Sequence, residues 1–371
     1  MSPIAQGFSS APDVTCVVVH TGQHDSAAMS RQFEQTLGVR VNHRIARGSG
    51  GFEGLASQVL PRLGAILRQE VPDLVVVLGD TDSALLGALE ARRLGLPVAH
   101  VEAGLRSYNE TSAEEVNRRI LAQVARVHFA PTALNRQMLL AEHVDPARIF
   151  VVGNPVVDVI QAFAAQARRP AAPVDILFTA HRAQTVDDPE SLATLVAVLH
   201  ALGHQYRVLF PVHPRTRQRL EEFGLWETLR SSGAMFTEPL SYPELIGHLL
   251  AARCVVTDSG GLQEEAVTLG RPVLVLRRTT PRWEGVLGGP IVLGSLDRAR
   301  ILATVDGWMH GNAPAPAPDL FGDGQAAARI VQICRDLVAD GALSYTVPDL
   351  SYQSGPATLG FLRNQLGEAG A

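Results

Sequence analysis

Short runs of aliphatic and β-branched residues alternate along this chain with stretches whose apolar residues recur at helical spacing. In the first half Val14–His20, Leu74–Leu78, Pro97–Val101 and Ile149–Val152 read as strands, with helices at Glu53–Arg68, Ser83–Arg93 and Ala113–Val127 between them. These runs are apolar throughout instead of on alternate residues, which is what strands covered on both faces require. Ala167–Pro173, rich in Pro, Ala and Arg, interrupts the pattern as a linker. Beyond it strands at Asp175–Thr179, Arg207–Phe210, Cys254–Thr257 and Pro272–Leu276 alternate with helices near Pro189–Leu202, Ser241–Ala252 and Gly261–Thr268. Ala313–Pro318 is a Pro/Ala loop, and Gln325–Asp340 reads as a last helix. The prediction is an α/β chain of two doubly wound domains facing a cleft: residues 1–166 and 174–340, with 341–371 as an extension. A length of 371 residues agrees with two cores.

Composition excludes several chemistries. The sequence contains no lysine; all 32 side chains counted as Lys and Arg are arginine. A Schiff base to pyridoxal phosphate and the lysine of a P-loop are therefore ruled out for these residues. Cys16, Cys254 and Cys334 stand far apart, without the spacing of a zinc site or a disulfide framework, which fits a reducing, cytoplasmic setting. No apolar run approaches the ~20 residues of a membrane span, and a net charge of −5 with no basic block argues against a nucleic-acid partner. Arg47-Gly48-Ser49-Gly50-Gly51 imitates a dinucleotide loop, but Glu53 stands where the third glycine should be, so NAD is not implied.

In open parallel sheets ligands gather beyond the carboxyl ends of the strands. The polar residues there are Thr21-Gly22-Gln23-His24, Gly79-Asp80-Thr81 and Glu102-Ala103-Gly104, then Ala180-His181-Arg182, Pro211-Val212-His213, Asp258-Ser259-Gly260-Gly261 and Arg277 to Glu284. Ser259, Gly260 and Gly261, between a strand and a helix, suit a phosphate cradle, because glycines admit close approach and helix N-terminal amides favour an anion. Glu265, one turn into that helix, could accept ribose hydroxyls. Arg182, Arg215 and Arg282 supply cations, and a diphosphate held by arginines and amides needs no metal. Asp80, Glu102, Glu114 and His213 are titratable groups at strand ends on opposite sides of the cleft, an arrangement suited to general acid and base chemistry. Three have a plainer alternative, Asp80 as a helix cap, Glu114 in a surface pair with Arg118 and His213 as a structural histidine, whereas Glu102, directly after Val-Ala-His-Val and before Ala-Gly, must be satisfied in a largely buried place.

Together these stretches resemble the UDP-N-acetylglucosamine 2-epimerases of the non-hydrolysing type and their relatives acting on other UDP-2-acetamido sugars. The resemblance lies in TGQH at 21–24, GDT at 79–81, HVEAGLRS at 100–107, EEVNRR at 114–119, HR at 181–182, PVHPRTR at 211–217, EPLSY at 238–242 and TDSGGLQEEA at 257–266. It implies a GT-B-like fold of two Rossmann-like domains and a homodimer. It further implies UDP in the second domain, with Ser259 and neighbouring amides on the diphosphate, Glu265 on ribose and Arg282 near the phosphates. Asp80, Glu102, Glu114 and His213 fall on positions such enzymes use for catalysis, and Gln23 and His24 where some members bind a second, activating UDP-sugar. The implied reaction eliminates UDP to a 2-acetamidoglucal and re-adds it with C2 inverted, without a redox cofactor.

The resemblance also implies a Gly-Thr-Arg-Pro-Glu strand and turn upstream of Met1, so the expectation is a start assigned downstream of the native one. Asp25-Ser26 replaces the polar pair that usually follows Gln23 and His24, Gln184 a common Glu, and Trp283 a Pro. The alternatives are a hydrolysing relative that releases UDP and N-acetylmannosamine, a glycosyltransferase of the same fold, and a UDP-sugar-binding protein without turnover.

Overall fold

The computed structural model describes residues 1–22, 38–46 and 50–346. The first half runs α1 (Ser2–Ser10), β1 (Val19–His20), β2 (His43–Arg44), α2 (Phe52–Glu70), β3 (Val75–Leu78), α3 (Asp82–Arg93), β4 (Val98–Val101), α4 (Ala113–Val124), β5 (Val127–Ala130), α5 (Ala133–Ala141), β6 (Ile149–Val151) and α6 (Pro155–Ala164). Strands β3, β4, β5 and β6 form a parallel sheet in chain order, while β1 and β2 pair parallel with each other. Of the strand expected at Val14–His20, Val19 and His20 pair, against His43 and Arg44. Val127–Ala130, expected partly as the end of a helix, is instead a fully buried strand: α4 stops at Val124 and Ala125 turns extended.

The second half runs β7 (Ile176–Thr179), α7 (Ala183–Val186), α8 (Pro189–Gly203), β8 (Val208–Pro211), α9 (Pro214–Glu222), α10 (Trp226–Arg230), β9 (Met235–Thr237), α11 (Tyr242–Ala251), β10 (Cys254–Thr257), α12 (Gly260–Thr268), β11 (Val273–Val275), α13 (Trp283–Leu287), β12 (Ile291–Leu293), α14 (Arg298–Gly307) and α15 (Ala326–Ala339). Its six strands are all parallel, in the order β9-β8-β7-β10-β11-β12. This is the doubly wound order, in which the chain leaves β7 toward one edge and returns to start the other half at β10. Helices cover both faces: Phe178 and Phe210 meet edge to face at 5.3 Å on one side, and Leu177, Val255 and Ala266 pack on the other. Strands buried this completely explain the unbroken apolar runs.

Two helices pack across the division expected from the sequence. Val157 and Ile160 of α6 join the core of the second sheet. Ile330 and Cys334 of α15 lie with Ile4 and Val101 against the first. The chain thus crosses before α6, at Gly153–Pro155, and returns with α15, whereas the sequence division placed residues up to 166 in the first unit and 174–340 in the second. A Pro-rich linker marks irregular backbone, not which sheet its flanking helices face, and that is why the two divisions differ.

Candidate functional site

Strands β7 and β10 are neighbours whose following connections diverge, so their carboxyl ends open the crevice of the second sheet. Asp258, fully buried at the end of β10, ties the two loops together by accepting the backbone N–H groups of His181 at 3.0 Å and Arg182 at 2.9 Å. Ser259 caps α12, accepting from the Leu262 N–H. Gly260 and Gly261 then open the helix beneath converging guanidinium groups. A Cβ on Gly260 would stand 3.3 Å from Arg282 Nη1 and 3.8 Å from Arg182 Nη2. The Nε atoms of both arginines are buried without a hydrogen-bond partner among the described residues. Two guanidinium groups with donors to spare, beside a helix N-terminus that opens on two glycines, make an anion site. Arg282 is held there by Glu264 at 2.8 Å, and Glu264 in turn accepts from Asn154 Nδ2 at 2.7 Å. Arg215 is not part of this cradle: it pairs with Asp187 on the exposed face of α9.

Across the cleft the first sheet presents carboxylates. Thr81 caps α3, accepting from Ala84 N–H at 3.2 Å, so Asp80 is not the cap. Asp80 instead accepts from Arg118 Nε at 2.9 Å, and Arg118 Nη1 donates to the buried Glu115 at 2.7 Å. Glu115 also receives the Ser107 N–H at 2.7 Å, fixing the loop between β4 and α4. Arg118 therefore serves Glu115 and Asp80, and Glu114 is left to accept from Arg182 Nη1 at 3.3 Å.

Glu102 follows β4 with φ +63°, a left-handed conformation that costs a non-glycine residue about 1–3 kcal/mol. Its carboxyl is pushed up to about 7, first by burial and then by the Glu264 charge, against the pull of Arg282 and with a further push from Asp80. Such a group can both hold and release a proton near neutrality. Burial acts to raise the Glu114 carboxyl, but hydrogen bonds from Ser112 and the backbone, with the Arg182 and Arg118 charges, bring it below the usual range. Its role at neutral pH is that of a carboxylate.

His213 caps α9, its Nδ1 accepting the Arg215 N–H at 3.2 Å, which leaves the proton of the neutral ring on Nε2. Burial and then the neighbouring His181, whose ring lies 5.4 Å away, hold its pKa below the ordinary value. The structural alternative for His213 and a role at the cleft thus coexist. Glu265 lies on α12 beside Tyr242, and burial pushes its carboxyl up to about 7.

The structure brings Asp80, Glu102, Glu114, Arg182, Ser259, Gly260, Gly261 and Arg282 to one cleft, with His213 at the adjoining strand end. Gln23 and His24 lie outside the described residues. From the sequence Arg118 stood only as a surface partner of Glu114, and Glu115, Glu264 and Asn154 were not singled out. The run EEVNRR held the signal for Arg118 and Glu115, since acids in a first turn followed three and four residues later by arginines imply internal pairing. The halves are also tied directly: Trp283 Nε1 donates to Arg106 O at 2.8 Å, Thr279 to Ser107 O, and Thr132 to Glu284.

The family model for UDP-N-acetylglucosamine 2-epimerase matches residues 6–335. The chain belongs to the UDP-N-acetylglucosamine 2-epimerase family. The Methanocaldococcus jannaschii UDP-N-acetylglucosamine 2-epimerase is 34% identical over 348 residues, covering 90% of this chain and 94% of that one. A UDP-2,3-diacetamido-2,3-dideoxy-D-glucuronate 2-epimerase of Pseudomonas aeruginosa is 35% identical over 324 residues, covering 85% and 90%. The crystal structure of the M. jannaschii enzyme in complex with UDP-GlcNAc and UDP superposes with a TM-score of 0.79, at 33% identity and 90% and 95% coverage. The Neisseria meningitidis epimerase bound to UDP-GlcNAc gives 0.81 at 26% identity, with 91% and 96% coverage. The GT-B-like pair of Rossmann-like sheets is thus the fold of this epimerase family.

Proposed function

We propose that this chain is a reversible 2-epimerase of a UDP-2-acetamido sugar, interconverting UDP-N-acetylglucosamine and UDP-N-acetylmannosamine or a close derivative. The observation that carries this reading is the convergence of Arg182 and Arg282 on the N-terminus of α12, opposite Glu102 with its carboxyl near neutrality. The cradle takes the diphosphate, with Ser259, Gly260 and Gly261 supplying the helix end and Glu265 the ribose contact. One protein group removes the C2 proton while the C1–oxygen bond breaks and its electron pair leaves with UDP, giving a 2-acetamidoglucal. The UDP oxygen then adds back to C1 as a second group protonates C2 from the opposite face. Asp80, Glu102, Glu114 and His213 are the candidates for these transfers, with Arg118 and Glu115 positioning Asp80. Cations fixed around the departing diphosphate stabilise the charge that develops as C1–O breaks.

The same reading makes the protein a cytoplasmic homodimer, supported by its three free cysteines and its family. Among the described residues no helix is long and apolar enough to cross a membrane. Incubation with UDP-N-acetylglucosamine, followed by NMR, is expected to reach a constant mixture of two UDP-sugars. Steady accumulation of UDP and free N-acetylmannosamine would instead mark a hydrolysing enzyme, and turnover only with an added acceptor a transferase.

A further inference from the structure

Two buried side chains outside the proposed chemistry converge on the turn that carries Asp80. The pairing of β3 with β4 ends at Leu78 and Val101, and Gly79, after donating its N–H to Val101 O at 3.0 Å, turns left-handed at φ +75°. The next two carbonyls are then taken by side chains. Gly79 O accepts from His100 Nε2 of β4 at 2.8 Å, and Asp80 O accepts from Asn117 Nδ2 of α4 at 2.9 Å. His100 is 1% exposed and Asn117 5%. We infer that His100 and Asn117 are positioning residues that clamp this turn and so aim the Asp80 carboxylate at the reacting carbon. This rests on the epimerase reading and adds to it the residues that hold the backbone behind a proton-transfer group.

Arg118 fixes the far end of Asp80, at the carboxylate, with Nε at 2.9 Å. The near end depends on Gly79, the residue type with the widest backbone freedom, at a point where the strand ladder has stopped. Rotation there swings the whole Asp80 side chain. The same turn borders a second candidate, since a Cβ on Gly79 would stand 3.8 Å from Glu102 Oε2. Its shape therefore sets the spacing between two carboxyl groups, and proton transfer is sensitive to such spacing at the level of an ångström. Asn117 extends the clamp into α3, donating also to Asp82 Oδ1 at 3.0 Å.

His100 suits the task because a carbonyl oxygen can only accept. The proton therefore sits on Nε2, and Nδ1 is buried without a partner among the described residues. Burial pushes the ring's pKa down to about 4, against the opposing pull of the Gly79 carbonyl, so the donor stays neutral and unchanged where Glu102 titrates. His128 provides a contrast. It pairs in register with His100, is equally buried and is pushed down to about 3, but its backbone hydrogen bond goes to Ala125, at the end of β5 away from the cleft. Burial alone does not bring a histidine of these strands onto the catalytic turn.

The test measures how fast solvent deuterium enters C2 of saturating UDP-N-acetylglucosamine, per UDP-binding site counted by titration calorimetry, in the full native chain and in H100L, H100Q, N117A and H128L. H100L is expected to slow exchange per site by about 10- to 100-fold, the cost of a small misplacement of a reacting group. Its affinity for UDP is expected to be unchanged, because the proposed UDP site lies on the second sheet. H100Q, whose amide N–H reaches the place of Nε2, is expected to recover most of the rate, and H128L to keep the native rate per site. N117A is expected to lose rate as H100L does, with α4 preserved because alanine is the best helix former. Native exchange per site in H100L or N117A overturns the inference. So does an equal loss in H100L and H100Q, or in H100L and H128L, either of which makes His100 a packing residue alone. Where H100L binds no UDP, N117A decides by the same two outcomes. A native chain that binds UDP without exchanging C2 defeats the epimerase reading and the inference with it.

Discussion

Arg182 Nη1 donates to Glu114 Oε1 at 3.3 Å, joining a cation of the phosphate cradle to a carboxylate of the facing sheet. Neither is fully buried, so the pair is worth little to stability. Its consequence is for binding, because Glu114 competes with an incoming diphosphate for the same guanidinium.

Arg182→Gln is therefore expected to weaken UDP binding by about 10- to 100-fold, the usual range for a charged hydrogen bond to phosphate. Glu114→Gln, which frees Arg182, is expected to bind UDP as well as the native chain or better while losing turnover. Titration calorimetry with UDP reads both. Weaker UDP binding by Glu114→Gln would contradict the competition.

The Glu102 carboxyl, raised by burial and by Glu264, titrates at about 7. A reversible proton transfer at C2 runs from the state in which one of the two catalytic groups holds the proton and the other lacks it, in either direction. The kcat/KM profile is expected to be bell-shaped and to have the same shape for both epimers, with one limb near pH 7. Glu102→Gln is expected to abolish that limb and lower kcat by about a thousandfold or more.

The same raised pKa has a stability counterpart. The folded value lies above the ordinary 4.5, so the unfolded chain releases this proton between pH 4.5 and 7 while the folded chain keeps it, and stability falls over that window. Replacement by the neutral Gln removes the loss. Ligand-free Glu102→Gln is expected to melt higher than the native chain at pH 8, with little difference at pH 4, by thermal denaturation.

Glu264 reaches no substrate in this account, yet it holds Arg282 at 2.8 Å and accepts from Asn154 across the point where the chain changes sheets. Glu264→Gln breaks a buried ion pair, a loss of about 3 kcal/mol in denaturant titration. It also removes a charge that raises Glu102, so the limb near pH 7 is expected to move to lower pH. A lower melting point with an unmoved limb would make Glu264 a structural residue alone.

Gly104 has φ +87°, and a Cβ there would sit 2.2 Å from the Asn135 carbonyl oxygen. Gly104→Ala is expected to destabilise the chain by about 3 kcal/mol or more, since backbone strain and a backbone clash add. Chemical denaturation measures it directly.

Much of this was legible in the sequence where one residue's chemistry and its place at a strand end agreed. The buried strands β7, β8, β10 and β11 show as apolar runs, and the polar residues after them are the cleft. What was not legible depends on pairing. Glu114 and Glu115 are identical neighbours, and only the turn of α4 sends Glu115 inward to Ser107 and Arg118 and leaves Glu114 facing Arg182. The helices α6 and α15 carry ordinary amphipathic patterns that do not say which sheet they face. Short edge strands such as Met235–Thr237 and Ile291–Leu293 carry too few apolar residues to stand out from their loops.

The central claim is that C2 of a UDP-2-acetamido sugar loses and regains its proton in this cleft. Incubation in deuterated water with UDP-N-acetylglucosamine, and in parallel with its C6-carboxylate counterpart, reads it by NMR. The account predicts deuterium at C2 of both epimers of at least one sugar, abolished in Glu102→Gln. Protium retained at C2 of both sugars, with the folded protein binding UDP, would contradict it.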